Sequence, residues 1–570
     1  MNDVLQRVLE RTDRNRPNKC ILQGDISREN VEILPEYLSK VIESAVSTLP
    51  PEANFRYMGY RKLTPIEDFY HTINASISKN LVDLSRNSLF KIELGFQYGD
   101  IEIKRILSLP YVDKGGFLKL SDANYALVPV LSSYPVAPSP SELFIRLLRD
   151  KLIIKKMRRN VYVNGVKTPL DVYHSKTYKL ISKVNNIIPI ALYPLIKYGF
   201  KDTFKELMNT EPLVLFGDED ISKYLDEYDV YQSLGVRPRA IHVNVYIPHT
   251  IRILVKKSET TPAVRSYIGS LIYSFDMSPE FAMELKKVIG KKKVHGTDIN
   301  LDNIDEETLY WITLLGKIIF KNKYTLDRIQ IDMLEHINIL NNYLDNIIKD
   351  RLKETGIILD DFYSLLHWSV VNFDEYVRMY ESHTSDLANR YLDMPYYVLY
   401  KHIEGANKAF LELKRNLVKK TLTEKDIHKV FNDFLSTKKI FGLISSSGLN
   451  LSLIPIDVTG DQFYWKVTSI LSDQAQGQGV IRSKREAFPP NTRKLRAEDL
   501  ILGSMSHLPK KTPSPRFRLN INADVDLHTG KLLLTEKDKY FINKTDAMLN
   551  AKHEGADIKE MTNEIDVKDM

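Results

Sequence analysis

One cysteine, Cys20, stands in 570 residues. That scarcity excludes an internal disulfide framework and any zinc site built on cysteines. Long apolar runs are missing as well. The longest, Ile187 to Ile196 (IIPIALYPLI), is too short to span a bilayer and is broken by Pro189 and Pro194. The opening stretch MNDVLQRVLERTDRNR is charged throughout and has no apolar core of the secretory kind. An intracellular protein with no membrane partner is therefore expected. Several catalytic signatures are also lacking. No His-Glu-x-x-His occurs, and Gly530-Lys531 has no glycine at the upstream position that a phosphate-binding loop needs. Gly477-Gln-Gly479 begins like a dinucleotide fingerprint, but Arg482 occupies the third glycine position, so a plain loop is the better reading. His367, beside Trp368 in an apolar helical stretch, reads as a packed core histidine.

What the chain does have is a concentrated basic segment. Between Arg482 and Arg518 stand ten cations: Arg482, Lys484, Arg485, Arg493, Lys494, Arg496, Lys510, Lys511, Arg516 and Arg518. Only Glu486, Glu498 and Asp499 oppose them, a local net charge of +7. The whole chain is also +7, so the remainder sums to zero. Gly477, Gly479, Pro489 and Pro490 punctuate this region as an irregular loop. Arginine forks bind phosphate bidentately and lysines supply point charges, so the segment is the candidate nucleic-acid contact. A solvated surface loop is the competing reading. A second basic island, Lys151 to Lys167 (KLIIKKMRRNVYVNGVK), holds six cations and no acid. Its Asn164-Gly165 pair between alternating residues predicts a hairpin turn.

Length and a hydrophobic content of 43% suit two to four domains with substantial cores. A helix is expected around Tyr37–Leu49, and strand alternation runs from Ala240 to Ile247. Met333, Ile337, Leu340, Leu344 and Ile347 recur at helical spacing, so residues 303–436 should be mostly α. The last residues, Asp546 to Met570, are acidic and lack a hydrophobic pattern, which predicts a mobile tail. No internal repeat is seen, and the pattern is α+β with a helical middle, not a repeating βαβ enzyme. Asn522-Ala-Asp524-Val-Asp526 is similar to the magnesium-binding loop of the largest subunit of cellular RNA polymerases. That loop needs three carboxylates, and here His528 stands at the third position. Phe517 to Leu527 alternates with period two up to Thr529-Gly530, so an amphipathic strand closed by a turn is the preferred reading.

Taken in order, several segments resemble the N-terminal half of the second-largest (β) subunit of multisubunit DNA-directed RNA polymerases. Gly115-Gly-Phe-Leu-Lys-Leu-Ser-Asp-Ala-Asn-Tyr-Ala-Leu-Val-Pro129 is similar to that family's GGYFIVNG.EKVI strand pair, without its second glycine and Glu-Lys. Asn185 to Lys205 resembles a helix of the family's lobe. Asp386-Leu-Ala-Asn389-Arg390-Tyr-Leu-Asp393 resembles the return from the lobe, and Leu422 to Ile440 the helix before the fork. Arg482-Ser-Lys484-Arg485 is similar to the fork's double arginine. Arg493-Lys-Leu-Arg496, ahead of Ser506-His507-Leu-Pro509, is similar to the element that follows it. Thr512-Pro513-Ser-Pro515-Arg516-Phe-Arg518-Leu-Asn520 resembles TPEG.N.GLi.nL, with Ser-Pro where the family has Glu-Gly. The chain ends where a cellular β subunit continues, which resembles the split β subunits of giant bacteriophages.

The resemblance implies a multidomain α+β chain. Its parts would be a protrusion-like domain (1–135), a lobe-like domain with a helical second half (136–385), a helical return (386–450), a fork-like nucleic-acid-contacting region (451–545) and an acidic tail (546–570). It implies a non-autonomous subunit of a nucleotidyltransferase, inactive alone, that lines the DNA channel. Partners would be the C-terminal β part, the β′ parts, DNA and RNA. No cofactor would be held by this chain, and catalytic magnesium would sit in a partner subunit. The expected location is the cytoplasm of an infected bacterial host, or the virion. The alternatives are a phage structural or DNA-packaging protein with a basic DNA-contacting loop, and a free-standing nucleic-acid-binding protein.

Overall fold

The computed structural model describes most of residues 33–435, the longest breaks being 78–88, 111–116, 176–186, 234–250, 293–303 and 379–389. Beyond these it describes 453–456, 469–472, 516–518, 524–525, 530–536, 539–540 and 543–544. The expected strand Ala240 to Ile247, the loop at Gly477 and Gly479, and the tail from Asp546 lie outside the described residues. The chain divides into two compact units. One is Met1–Tyr134 together with Glu381–Met570, and the other is Pro135–Tyr380.

The first unit opens on the helix Leu34–Val46, where one was expected. Pro35 sits in its first turn, where a missing N–H costs nothing. Leu34, Leu38, Val41, Ile42 and Ala45 recur at helical spacing and are buried. Strands β1 (Phe55–Lys62), β2 (Leu89–Tyr98) and β3 (Ile101–Pro110) form an antiparallel sheet in that order. Ile92, Leu94 and Phe96 alternate along β2 and turn one sheet face into the core. There Phe96 meets Phe431 at 4.9 Å between ring centroids, and Phe55 meets Phe410 at 6.0 Å. Phe410 belongs to the long helix Pro395–Lys419 and Phe431 to the helix Glu424–Phe434. The family-like segment from Gly115 supplies a strand pair, β4 (Phe117–Leu120) and β5 (Ala123–Leu127), followed by β6 (Val130–Ser133).

The second unit is a large sheet backed by helices. Its strands are β7 (Val136–Ser139), β8 (Glu142–Arg146), β9 (Lys151–Val163), β10 (Val166–Ser175), β11 (Ile188–Pro189), β12 (Leu213–Phe216), β13 (Tyr228–Gln232) and β14 (Ile251–Lys256). They run in the order β11-β10-β9-β13-β14-β12, and β8 joins β7 to β9. The predicted hairpin is present: Val163 faces Val166 across a two-residue turn, with Asn164 at φ 51° and Gly165 at φ 79°. Both central residues of this turn need the left-handed region, which asparagine tolerates and glycine enters freely.

Among the described residues this unit has seven α-helices: Leu192–Met208, Pro262–Met277, Pro279–Val288, Glu306–Phe320, Leu326–Asn338, Asn346–Glu354 and Phe362–Arg378. Trp311, Tyr193, Tyr267, Phe200, Phe204 and Phe275 are the large side chains of their core. The pattern from Met333 to Ile347 is not one helix. The chain passes from Leu326–Asn338 through a 3-10 turn, Leu340–Tyr343, into Asn346–Glu354. The apolar side stays inward through the turn: Met333, Ile337, Leu340 and Leu344 are buried, as is Ile348, whereas the side chain of Ile347 lies outside the described residues. His367 is a packed residue as expected. Its Nδ1 lies 3.0 Å from the Tyr267 hydroxyl, and burial pushes its pKa below the usual histidine range.

After the second unit the chain returns through β15 (Arg390–Asp393) and then the two helices that carry Phe410 and Phe431. The remaining strands are β16 (Leu453–Ile456), β17 (Ser469–Ser472), β18 (Arg516–Arg518), β19 (Asp524–Val525) and β20 (Leu532–Leu533). Mostly antiparallel sheets with helices gathered around 306–434 make the fold α+β, with a helical middle.

Candidate nucleic-acid interface

A four-stranded sheet in the first unit, ordered β15-β6-β17-β18, holds the C-terminal end of the basic segment on β18. β6 is antiparallel to β15 and parallel to β17, and β17 is antiparallel to β18. Leu131 and Ser132 on β6 and Tyr391 and Leu392 on β15 are buried, and the rings of Tyr134 and Tyr391 pack at 5.1 Å. At the β18 edge, Leu471 faces Arg516 and Ser469 faces Arg518. β17 ends at Ser472 and β18 begins at Arg516, and residues 473–515 between them lie outside the described residues. Arg482, Lys484, Arg485, Arg493, Lys494, Arg496, Lys510 and Lys511 are all on this connection, outside the described residues. Arg516 and Arg518 open and close β18, and their side chains are likewise outside the described part.

The opposite edge of the same sheet is clasped by the segment that follows. The Leu392 N–H donates to the Gly530 carbonyl at 2.7 Å, and Tyr391 bridges to Lys531. Gly530 has φ 70°, and a Cβ added there would stand 2.0 Å from the Leu392 carbonyl oxygen. Only glycine permits this approach of backbone to backbone.

Of the expected strand Phe517 to Leu527, two pieces are described: Arg516–Arg518 pairs with β17, and Asp524–Val525 pairs with Leu532–Leu533 in a separate two-stranded sheet. Residues 519–523 and 526–529 lie outside the described residues. Asp524 faces Leu533 in its ladder, and Asp526 and His528 lie outside the described residues. Among the described residues no three His, Cys, Asp or Glu side chains are gathered as a metal site would need.

The second basic island is placed on β9 and the start of β10, and carboxylates from four elements face it. Lys156 donates to Asp374 at 2.7 Å and lies 3.1 Å from Asp171. Burial opposes its charge, but these two hydrogen bonds outweigh burial and hold its pKa above the usual lysine range. Arg159 donates to Asp276 at 2.6 Å, and Ser233 donates to the same carboxylate. Lys155 pairs with Glu142, and Arg158, 78% exposed, lies 3.8 Å from Asp171. Lys155, Lys156 and Arg159 are paired with carboxylates, while Arg158 stays largely exposed. The island is thus a poorer phosphate cradle than its composition suggests. Once the two-residue turn is accepted, the hairpin register already puts Asp171 opposite Arg158. Glu142, Asp276 and Asp374 come from elsewhere in the chain, and no spacing in the sequence signals them.

Residues 26–460 match the family described as non-virion RNA polymerase subunit. No curated protein matches the chain. The matched span takes in the second unit whole and ends ahead of the basic segment Arg482–Arg518.

Proposed function

The chain belongs to the non-virion RNA polymerase subunit family, and from that premise we propose that it is the N-terminal part of a split β subunit. In this reading it lines the DNA channel and holds template or RNA–DNA hybrid through Arg482, Lys484, Arg485, Arg493, Lys494, Arg496, Lys510, Lys511, Arg516 and Arg518. Its partners are the other polymerase subunits, those carrying the C-terminal β part and the β′ parts. Transcription takes place in the cytoplasm of the infected cell. Catalytic magnesium belongs to a partner subunit in this reading, because His528 stands where the Asn522–Asp526 motif would need its third carboxylate.

The observation that carries the reading is the topology of the β17–β18 edge. The C-terminal end of the basic segment, Arg516–Arg518, is held on β17, the strand from which the chain sets out ten residues before Arg482. Backbone contact by such a segment is independent of base sequence, as transcription along any template requires. The interruption of the first unit by the second between Tyr134 and Glu381 also supports the reading. A β-like protrusion interrupted by a lobe has this chain order.

The test neutralises Arg482, Arg485, Arg493 and Arg496 together in the assembled polymerase. The log–log salt dependence of binding to duplex DNA should flatten by roughly 3 to 4 units, about 0.9 for each phosphate no longer neutralised. The weakening should be alike on unrelated sequences, and elongation complexes should dissociate faster while the enzyme still assembles. A wild-type salt slope and lifetime would place these arginines away from nucleic acid.

A further inference from the structure

The helix Pro65–Ile77 (PIEDFYHTINASI), in the first unit, has its apolar stripe on the wrong side for a monomer. Ile66, Phe69, Tyr70 and Ile73 fall at the spacing that normally faces a core. Here Ile66 is 69% exposed, Phe69 60% and Tyr70 61%, Ile73 is half-buried, and no described side chain of this helix is fully buried. Its charged side does the fastening. Arg61 donates to Glu67 at 3.0 and 3.1 Å and to Glu93 on β2 at 3.0 and 3.2 Å. Lys91 lies 2.5 Å from Asp68 and donates to the Thr72 hydroxyl at 2.5 Å. Thr64 N–H donates to Glu67 at 2.8 Å and closes the first turn.

The helix is thus tethered to the sheet by ion pairs that engage both of its carboxylates. Glu67 and Asp68 are its only charged residues, so the outward stripe is aromatic, aliphatic and uncharged. Met58, 63% exposed at the β1 bulge, adds to the apolar surface. It stands over Gly95, on the sheet face that carries the Arg61–Glu93 pair.

We infer that this helix docks another subunit of the polymerase, inserting Ile66, Phe69, Tyr70 and Ile73 into an apolar, uncharged groove on that subunit. The lack of charge argues against nucleic acid, and membership in a polymerase-subunit family supplies protein partners. Nucleic acid needs cations aimed at phosphates, and this stripe presents none. A protein groove needs a preformed amphipathic helix with anchors at these spacings, and this helix presents them. The inference rests on family membership and not on the assignment to the β side.

The full chain with Phe69→Glu, with Ile66→Gln/Phe69→Glu, and with the conservative Phe69→Leu is co-expressed with the complete set of polymerase subunits. Both polar variants should leave the melting temperature of the free chain near wild type, because the substituted side chains are exposed. Recovery of the chain in purified polymerase should fall at least about tenfold, the effect of losing a central aromatic anchor. Phe69→Leu should be recovered nearly as wild type. Amide exchange over residues 65–77 should slow on assembly. Stoichiometric polymerase containing the double variant, or equal exchange in free and assembled chain, would overturn the inference. So would a free chain that is a dimer and that Phe69→Glu converts to monomer, since a second copy would then be the occupant. Failure of the nucleic-acid reading would show in the salt slope and leave subunit recovery untouched.

Discussion

Gly530 shows how one residue ties distant parts of the chain. Its backbone meets β15 so closely that a methyl group would overlap the Leu392 carbonyl oxygen, and its φ of 70° is unfavourable for any side chain. Gly530→Ala should therefore cost more than about 1 kcal/mol locally. The Leu392 amide, which donates to the Gly530 carbonyl, should exchange several-fold faster with solvent. An unchanged rate would mean that the turn relaxes without strain. The turn itself was readable from Thr529-Gly530. Its contact with Leu392 was not, because nothing in the local sequence names the partner that makes the side chain impossible.

Among the elements, the helix Glu424–Phe434 begins locally and ends through a distant contact. Its start is a capping box in which Thr423 and Asp426 exchange hydrogen bonds, three residues apart. Its last carbonyls are met by Arg105 on β3, whose guanidinium donates to Leu435 O at 2.7 Å, Asn432 Oδ1 at 2.8 Å and Phe431 O at 3.3 Å. Burial pulls the Arg105 pKa below the usual arginine range. Arg105→Met keeps the apolar stem and removes the donors. Hydrogen bonds to charged groups are worth about 1.5 to 3 kcal/mol, so a loss of about 2 kcal/mol is expected in denaturant unfolding. A wild-type midpoint would show that water replaces the guanidinium at no cost. The β9–β10 hairpin repeats the contrast, since Asn164-Gly165 sets its register locally. Three of the four carboxylates that neutralise it arrive from other elements.

For the whole molecule, family membership makes the chain one subunit of a polymerase. Two-metal nucleotidyl transfer needs several carboxylates around the metals, and His528 interrupts the aspartate pattern. The pure, partner-free chain should therefore show no templated nucleotide incorporation. RNA synthesis by that preparation would contradict both the partner requirement and the placing of magnesium elsewhere. Restoration of activity on adding the other subunits is the positive control.

Features set by short-range chemistry were legible in the residues alone. These are the helix at Leu34–Val46, the Asn164-Gly165 hairpin, the helical middle, the packed His367 and the α+β class. Each rests on a periodicity, a turn requirement or a burial preference that a few neighbouring side chains settle. The fold was needed wherever the outcome depends on which distant surfaces meet. It placed two pieces of the Phe517–Leu527 alternation in separate sheets and set carboxylates against the second basic island. It also turned the Ile66–Phe69–Tyr70 stripe away from the core. Periodicity says that a helix has an apolar side. Which way that side points follows from the ion pairs and packing that hold the other side down.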